Sequence, residues 1–434
     1  MASIRRRGTV IAAAAVALLA AACSSGAQPG AAPPSSASST SSDSTALSAP
    51  SGSGSGSTYT IGVLTDLTGL AATNNHTFPI GVAAGVGVAA TEGYKFRYVV
   101  ADTATSPSQA LSAAQKLVEQ DHVFAVLTLS SLTFAAAPYL TSHGIPVIGA
   151  AQDSTEWTTS RNMFSVFGTE DFTRVYSVLG DIYKQLGGTN LASLGYSISP
   201  SSADAAKGAA VSAHLAGLEV GYLNASFPFG GTNVGPAALA IKASGADSLN
   251  ASIETSTEFA LIRALRQEGV QLKVALVATG YGGDLVTGGP DGQSVAQGLY
   301  FPIAWEPTEM HTAATERLVN AITKYAKSNI APGYGQYLGY LSVDALVQGL
   351  ELAGPHPTQA SLINALLSIR NYTGAGLFGS HSVGFAMDQR GQVSGADNCE
   401  WVVRYSGTSF HLLPGMEPIC GQTVPGLTIN SPTS

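Results

Sequence analysis

From Thr58 onward, short apolar runs of strand length alternate with amphipathic stretches of helix length, and a chain written in that rhythm folds into parallel sheets covered by helices. The alternation fills most of 434 residues, which is ample for two lobes and too much for one small core. In the first part, strands are expected over 59–64, 96–101, 123–129 and 145–150, with helices over 79–91, from Pro107 and over 132–142. The helix after Ser106 has the clearest local signals. Ser106 stands at the N-cap, Pro107 at the first helical position and Gln109 at the capping-box position, ahead of an apolar stripe of Ala110, Leu111, Ala114, Leu117 and Val118. A second run begins at Leu191, with strands over 191–197, 219–225, 247–254, 273–279 and 298–305 and helices over 203–216, 235–244 and 257–268. Helices over 311–328, 335–353 and 358–368 follow, and a hairpin of 401–405 and 409–413 turns at Ser406-Gly407.

Charge narrows the function. Only 11% of residues are charged, 20 Lys and Arg against 28 Asp and Glu, for a formal net charge of −8, so no basic face for nucleic acid can be built. Three Cys and eight scattered His, without HExxH or CxxC, make no recognisable metal site, and no metal or cofactor is expected. No GxSxG elbow occurs, nor a Ser/His/Asp or Cys/His set that spacing singles out. Gly85-Val86-Gly87-Val88-Ala89-Ala90 and Gly374-Ala375-Gly376-Leu377-Phe378-Gly379 fit a bare nucleotide-loop pattern. Neither leads from a strand into a helix, so both read as packing or turn glycines.

Arg5, Arg6 and Arg7 precede an apolar run over 10–22 that stops at Cys23. The run is too short to span a bilayer and reads as an export signal. Leu19-Ala20-Ala21-Ala22-Cys23 resembles a bacterial lipobox, which makes Cys23 the lipidated first residue of the mature protein; the alternative is a plain secretory signal followed by a free thiol. Residues 23–57 are nearly all Ser, Ala, Gly, Pro and Thr, a composition that stays a flexible tether. In an oxidising compartment Cys399 and Cys420, which bracket the hairpin, are expected to be bonded.

Ligands of open parallel sheets bind beyond the carboxyl ends of strands. Two junctions look provisioned: Ser130-Ser131, and Ala151-Gln152-Asp153-Ser154. Equally, these residues can serve only as helix caps. Tyr281, Trp305 and Trp157 are candidate cavity walls, with Trp157 as readily a packing residue; Asn75 and His76 read as exposed loop residues.

The string 59–69, Ala101-Asp102 through Pro107 to Asp121, Ser130-Ser131, Gly144-Ile145-Pro146-Val147-Ile148 and Ala264-Leu265-Arg266-Gln267-Glu268-Gly269 together resemble type I periplasmic solute-binding proteins of the leucine/isoleucine/valine class, over roughly 58–415. The resemblance implies an α/β fold of two doubly wound parallel-sheet lobes joined by a three-stranded hinge, a clamshell. The expected lobes are 58–170 plus 307–377 and 171–306 plus 378–430, crossing near 167–171, 301–306 and 378–385. Transferred position by position, the ligand contacts fall on Asn74, Ser130, Ser131, Ala151, Asp153, Ser201, Glu254 and Tyr281, and Ser130→Ala is expected to weaken binding. The family's lid Tyr corresponds to Pro200-Ser201, and its ammonium-binding acid to Gly280 or Tyr281, so the ion-pair partner of an amino acid is missing unless Asp153 or Glu254 replaces it. A buried unpaired ammonium costs several kcal/mol, which disfavours a standard branched-chain amino acid.

What this implies is a monomeric, non-enzymatic lipoprotein on the extracytoplasmic face of the cell membrane. It captures a small solute (an amino acid, amide or related organic acid) and delivers it to an ABC permease with its ATPase subunits. A solute sensor reporting to a membrane receptor shares fold and pocket and stays open as an alternative; a secreted enzyme is the remote one.

Overall fold

Strand Ala125–Leu129 is buried at every position, as a central parallel strand covered on both faces must be. The structure, a computed structural model, describes residues 46–48, 57–150, 155–231 and 233–433. Cys23, Ala151 and Asp153 lie outside the described residues, as do the export signal and most of the tether, but residues 46–48, expected within the tether, instead form a strand on the edge of the first sheet.

The first sheet comprises β1 (Ala46–Ser48), β2 (Thr58–Thr65), β3 (Lys95–Asp102), β4 (Ala125–Leu129), β5 (Val147–Gly149) and β6 (Met163–Ser165), in the order β1-β3-β2-β4-β5-β6. All its pairings are parallel except that of β1 with β3. After β7 (Arg174–Tyr176), a second sheet collects β8 (Asn190–Tyr196), β9 (Glu219–Phe227), β10 (Ser248–Ser252), β11 (Val274–Leu276), β12 (Tyr300–Ile303), β13 (Cys399–Ser406) and β14 (Ser409–Leu412). Its order is β14-β13-β12-β11-β10-β8-β9, with β13 and β14 antiparallel at one edge. These are the two parallel-sheet lobes of the expected α/β class.

Two helices far apart in sequence, Phe78–Thr91 and Tyr334–Ala353, pack together on the first lobe. Their glycines allow the approach: a Cβ on Gly81 would lie 2.1 Å from Gln336 O, and one on Gly339 2.3 Å from Phe78 O. The glycines of 85–90 are therefore packing residues inside a helix, where a side chain on Gly85 would meet Val343. At the expected crossings, Glu306 N–H donates to Leu377 O (2.7 Å), and nearby Gly391 N–H donates to Thr169 O (2.8 Å). Cys399 and Cys420 are bonded. The short strand β15 (Ile419–Cys420) pairs with β13, and β16 (Thr423–Thr428) returns to pair with β7.

Three local expectations are corrected. The helix over 132–142 is a 3-10 turn, Thr133–Ala135, followed by a short helix, Ala137–Ser142; Pro138 cannot donate to a preceding turn and sits instead at a helix start. The helix over 311–328 is Ala313–Ala321 running into a wide turn, Ile322–Ala326. Ser106 does precede a helix, Pro107–Glu119, but its hydroxyl caps nothing there and meets Ser108 Oγ at 3.1 Å. Among the described residues, no helix is long and apolar enough to cross a membrane.

Candidate functional site

The loops that leave the carboxyl ends of the parallel strands converge on a cavity of about 290 Å³ between the two sheets. From the first lobe come Asn74, beyond β2, and Ser131, beyond β4. From the second come Tyr196 at the end of β8, Phe229 beyond β9, Glu254 beyond β10 and Thr279 beyond β11. Glu170 and Phe172 add a wall from the stretch following β6. This is where an open parallel sheet presents loop amides and side chains to a ligand.

The lobes touch across the cavity. Ser131 Oγ donates to Glu254 Oε1 (3.1 Å). Asn74 Nδ2 donates to Thr255 Oγ1 (3.0 Å) and Thr279 Oγ1 (2.9 Å). Beside the cavity, Thr77 Oγ1 and the Tyr334 N–H donate to the Asp284 carboxylate at 3.3 and 2.7 Å. Asp284 belongs to the second lobe, while Tyr334 opens the long helix of the first. Glycine makes that seam possible: Gly282 has φ +66°, and a Cβ on Gly333 would lie 2.4 Å from the Asp284 carboxyl. Burial pushes the Asp284 carboxyl up to about 7, although both donors pull it down.

Behind the first-lobe wall lies a carboxylate already supplied by the chain. Asp66 is fully buried. Its Oδ1 accepts from the Ser130 hydroxyl (2.6 Å) and the Thr103 hydroxyl, and its Oδ2 from Asn75 Nδ2 (2.8 Å) and the Ser131 N–H (2.9 Å). Four donors saturate it.

Glu254 stands in contrast. It precedes the helix Thr255–Gln267 and faces the cavity, and its carboxyl is pushed up to about 7, first by burial and further by the Asp66 charge, against the Ser131 hydrogen bond. Burial also raises Glu170, which accepts from the Ser394 hydroxyl. Burial and the nearby Glu170 hold Glu400 up at about 8.

Of the positions transferred from the family, Asn74, Ser131, Ser201 and Glu254 line the cavity. Ser130 stands behind the wall, its hydroxyl committed to Asp66. Tyr281 does not line it either: the residue is 2% exposed, its ring packs on Phe410 with centroids 4.9 Å apart, and its hydroxyl bonds Thr308 Oγ1 at 3.0 Å. Trp157 is fully buried in packing, and Trp305 stacks on Tyr337, backing Phe167 and Tyr334 rather than reaching the cavity. Asn75, expected exposed, is 3% exposed and holds Asp66. The aromatic lining of Phe167, Phe172, Tyr196, Phe229 and Tyr334 escaped the sequence reading. Tyr196 and Phe229 do sit at strand carboxyl ends, where the topological rule applied to the second run would have found them.

A family profile described as periplasmic binding protein matches residues 58–408. The chain belongs to the periplasmic binding protein family. A leucine binding protein from Thermotoga maritima is 18% identical, covers 83% of this chain and 99% of its own, and superposes with a TM-score of 0.68. A solute binding protein of an ABC transporter from R. palustris, in complex with 4-hydroxybenzoate, is 17% identical over 84% of this chain and 98% of its own, with a TM-score of 0.67. The substrate binding protein of a branched-chain amino acid transporter from Streptococcus pneumoniae, in complex with isoleucine, is 18% identical over 85% and 99%, with a TM-score of 0.66. A search of curated proteins found no match. Identities this low carry the fold and not the ligand. Membership of the periplasmic binding protein family makes this a binding protein that works outside the cytoplasm.

Proposed function

We propose that this periplasmic binding protein is the capture subunit of an ABC importer, held to the outer face of the membrane by a lipid on Cys23 and leashed by the residues between Cys23 and β1. It closes lobes 58–170 plus 307–377 and 171–306 plus 378–430 over one small solute and hands that solute to the permease. The supporting observation is the cavity bordered by both lobes, with Ser131 of one side bonded to Glu254 of the other. A guest that touches both walls binds the shut form better than the open one, and only that difference can move the hinge. Taking the population from 1:99 to 99:1 needs about 10⁴-fold preference, roughly 5.5 kcal/mol, which a few hydrogen bonds and one buried ring can supply.

Small-angle scattering against a solute panel tests the reading, with a smaller radius of gyration expected for any solute that also raises the melting temperature. Gly333→Ala places a methyl against the Asp284 carboxyl and should wedge the seam, weakening every such solute by about tenfold or more while the melting temperature of the empty protein changes little. Stabilising solutes that leave the scattering curve unchanged would refute the clamshell mechanism. Cys23→Ala should release the protein from the membrane fraction.

A further inference from the structure

We propose that the cleft takes a small organic cation, an ammonium carried on an aromatic or branched apolar body, and rejects carboxylates; this rests on the solute-capture reading above. Three independent features of the cavity carry it.

The first is the state of the anion seat. The family resemblance places a ligand carboxylate at the first-lobe junction, and there the hydroxyl of Ser130 and the N–H of Ser131 both already serve Asp66. A second carboxylate brought there would find its donors occupied and a buried like charge behind them.

The second is the sign of the remaining groups. Glu170 and Glu254 border the cavity, and among the described residues no Lys, Arg or His does. Asp66 lies behind Glu254, and Tyr196 and Glu258 lie beside it on its own lobe, so nothing positive there answers its charge. Phe167, Phe172, Tyr196 and Phe229 line the cavity, and aromatic rings attract an ammonium through their quadrupoles.

The third is an acceptor left over. Asn74, Thr255 and Thr279 make three mutual contacts of 2.5–3.0 Å, which require three hydrogens. The amide nitrogen turned toward the threonines provides two, and one hydroxyl the third; the amide oxygen turned that way would leave only the two hydroxyl hydrogens. The nitrogen therefore faces the threonines, and Asn74 Oδ1, on a residue only 3% exposed at the cavity wall, has no partner. Two acid groups that each receive a single hydroxyl, Glu254 from Ser131 and Glu170 from Ser394, and a spare carbonyl leave more acceptors than donors at the cleft, and donors are what an ammonium supplies.

Titration calorimetry with benzylamine, benzyl alcohol and benzoate compares one ring under three head-group charges. Benzylamine should bind at least about tenfold more tightly than either of the others, and Glu254→Gln should shrink the ratio of benzylamine to benzyl alcohol affinity by about tenfold. Glu170→Gln provides the same comparison if the first variant does not fold. Benzoate or benzyl alcohol binding as tightly as benzylamine overturns the assignment, and compaction by either in scattering then leaves solute capture standing. If none of the three binds and scattering is unchanged for each, the capture reading falls as well.

Discussion

The two walls of the cleft handle buried acid in opposite ways. On the first lobe, Asp66 is surrounded by hydroxyl, amide and backbone donors drawn from three separate segments. On the second, Glu254 has one hydroxyl, and that one belongs to the opposite lobe. A saturated carboxylate is architecture, because its donors cannot be lent to a ligand without leaving a buried charge exposed. A carboxylate whose partner sits across a moving gap is a contact that closure makes and opening breaks.

The sharpest break of this contrast is Asp66→Ala. It strands four buried donors and should cost about 2–4 kcal/mol of stability, read as a lower denaturant midpoint; an unchanged midpoint would mean that the cluster is not structural. Ser130→Ala should cost about 1–2 kcal/mol through the same network while leaving ligand affinity nearly intact. Its neighbour should behave the other way. Ser131→Ala keeps the N–H to Asp66 and loses only the bridge to Glu254, so stability should move by less than about 0.5 kcal/mol while closure weakens. If the two serine variants prove indistinguishable in melting and scattering, the division between the walls is wrong.

The smallest effect is on pH. Asp284 and Glu254 are both held near 7 by burial in this structure, and the proposed opening would return them to water and to the ordinary carboxylate range. The shut form therefore binds the extra protons. Its advantage is complete below the ordinary carboxylate range and is lost as pH rises through about 7. The empty protein should show a larger radius of gyration at pH 8 than at pH 5, and Asp284→Asn should flatten that difference.

The architecture was largely legible because its signals are local. Strands such as Val123 to Leu129 are continuous apolar runs, and Pro107 marks a helix start whatever lies elsewhere in the chain. Helix ends failed where a single residue overrode periodicity, as Pro138 does. The site was legible only in part. Asn74, Ser131, Ser201 and Glu254 came from the family resemblance and line the cavity. Ser130 and Tyr281 came from it too and do not, since a position in a motif does not reveal whether a hydroxyl is already spoken for. Asp66 was read only as part of the opening string, because its four partners are brought together by tertiary contacts of 9 to 65 residues' separation that no periodicity records.

Asp284 ends a helix that its own lobe does not contain. In the proposed opening, the Tyr334 N–H would give up its carboxylate acceptor, and the first turn of a 20-residue helix would turn to water instead. That rod is about 30 Å long and is packed along the Phe78–Thr91 helix. On the proposed mechanism the loaded and empty forms would differ at the tip of a stiff lever whose far end lies well away from the mouth, which would give a docking partner somewhere to read occupancy without seeing the guest.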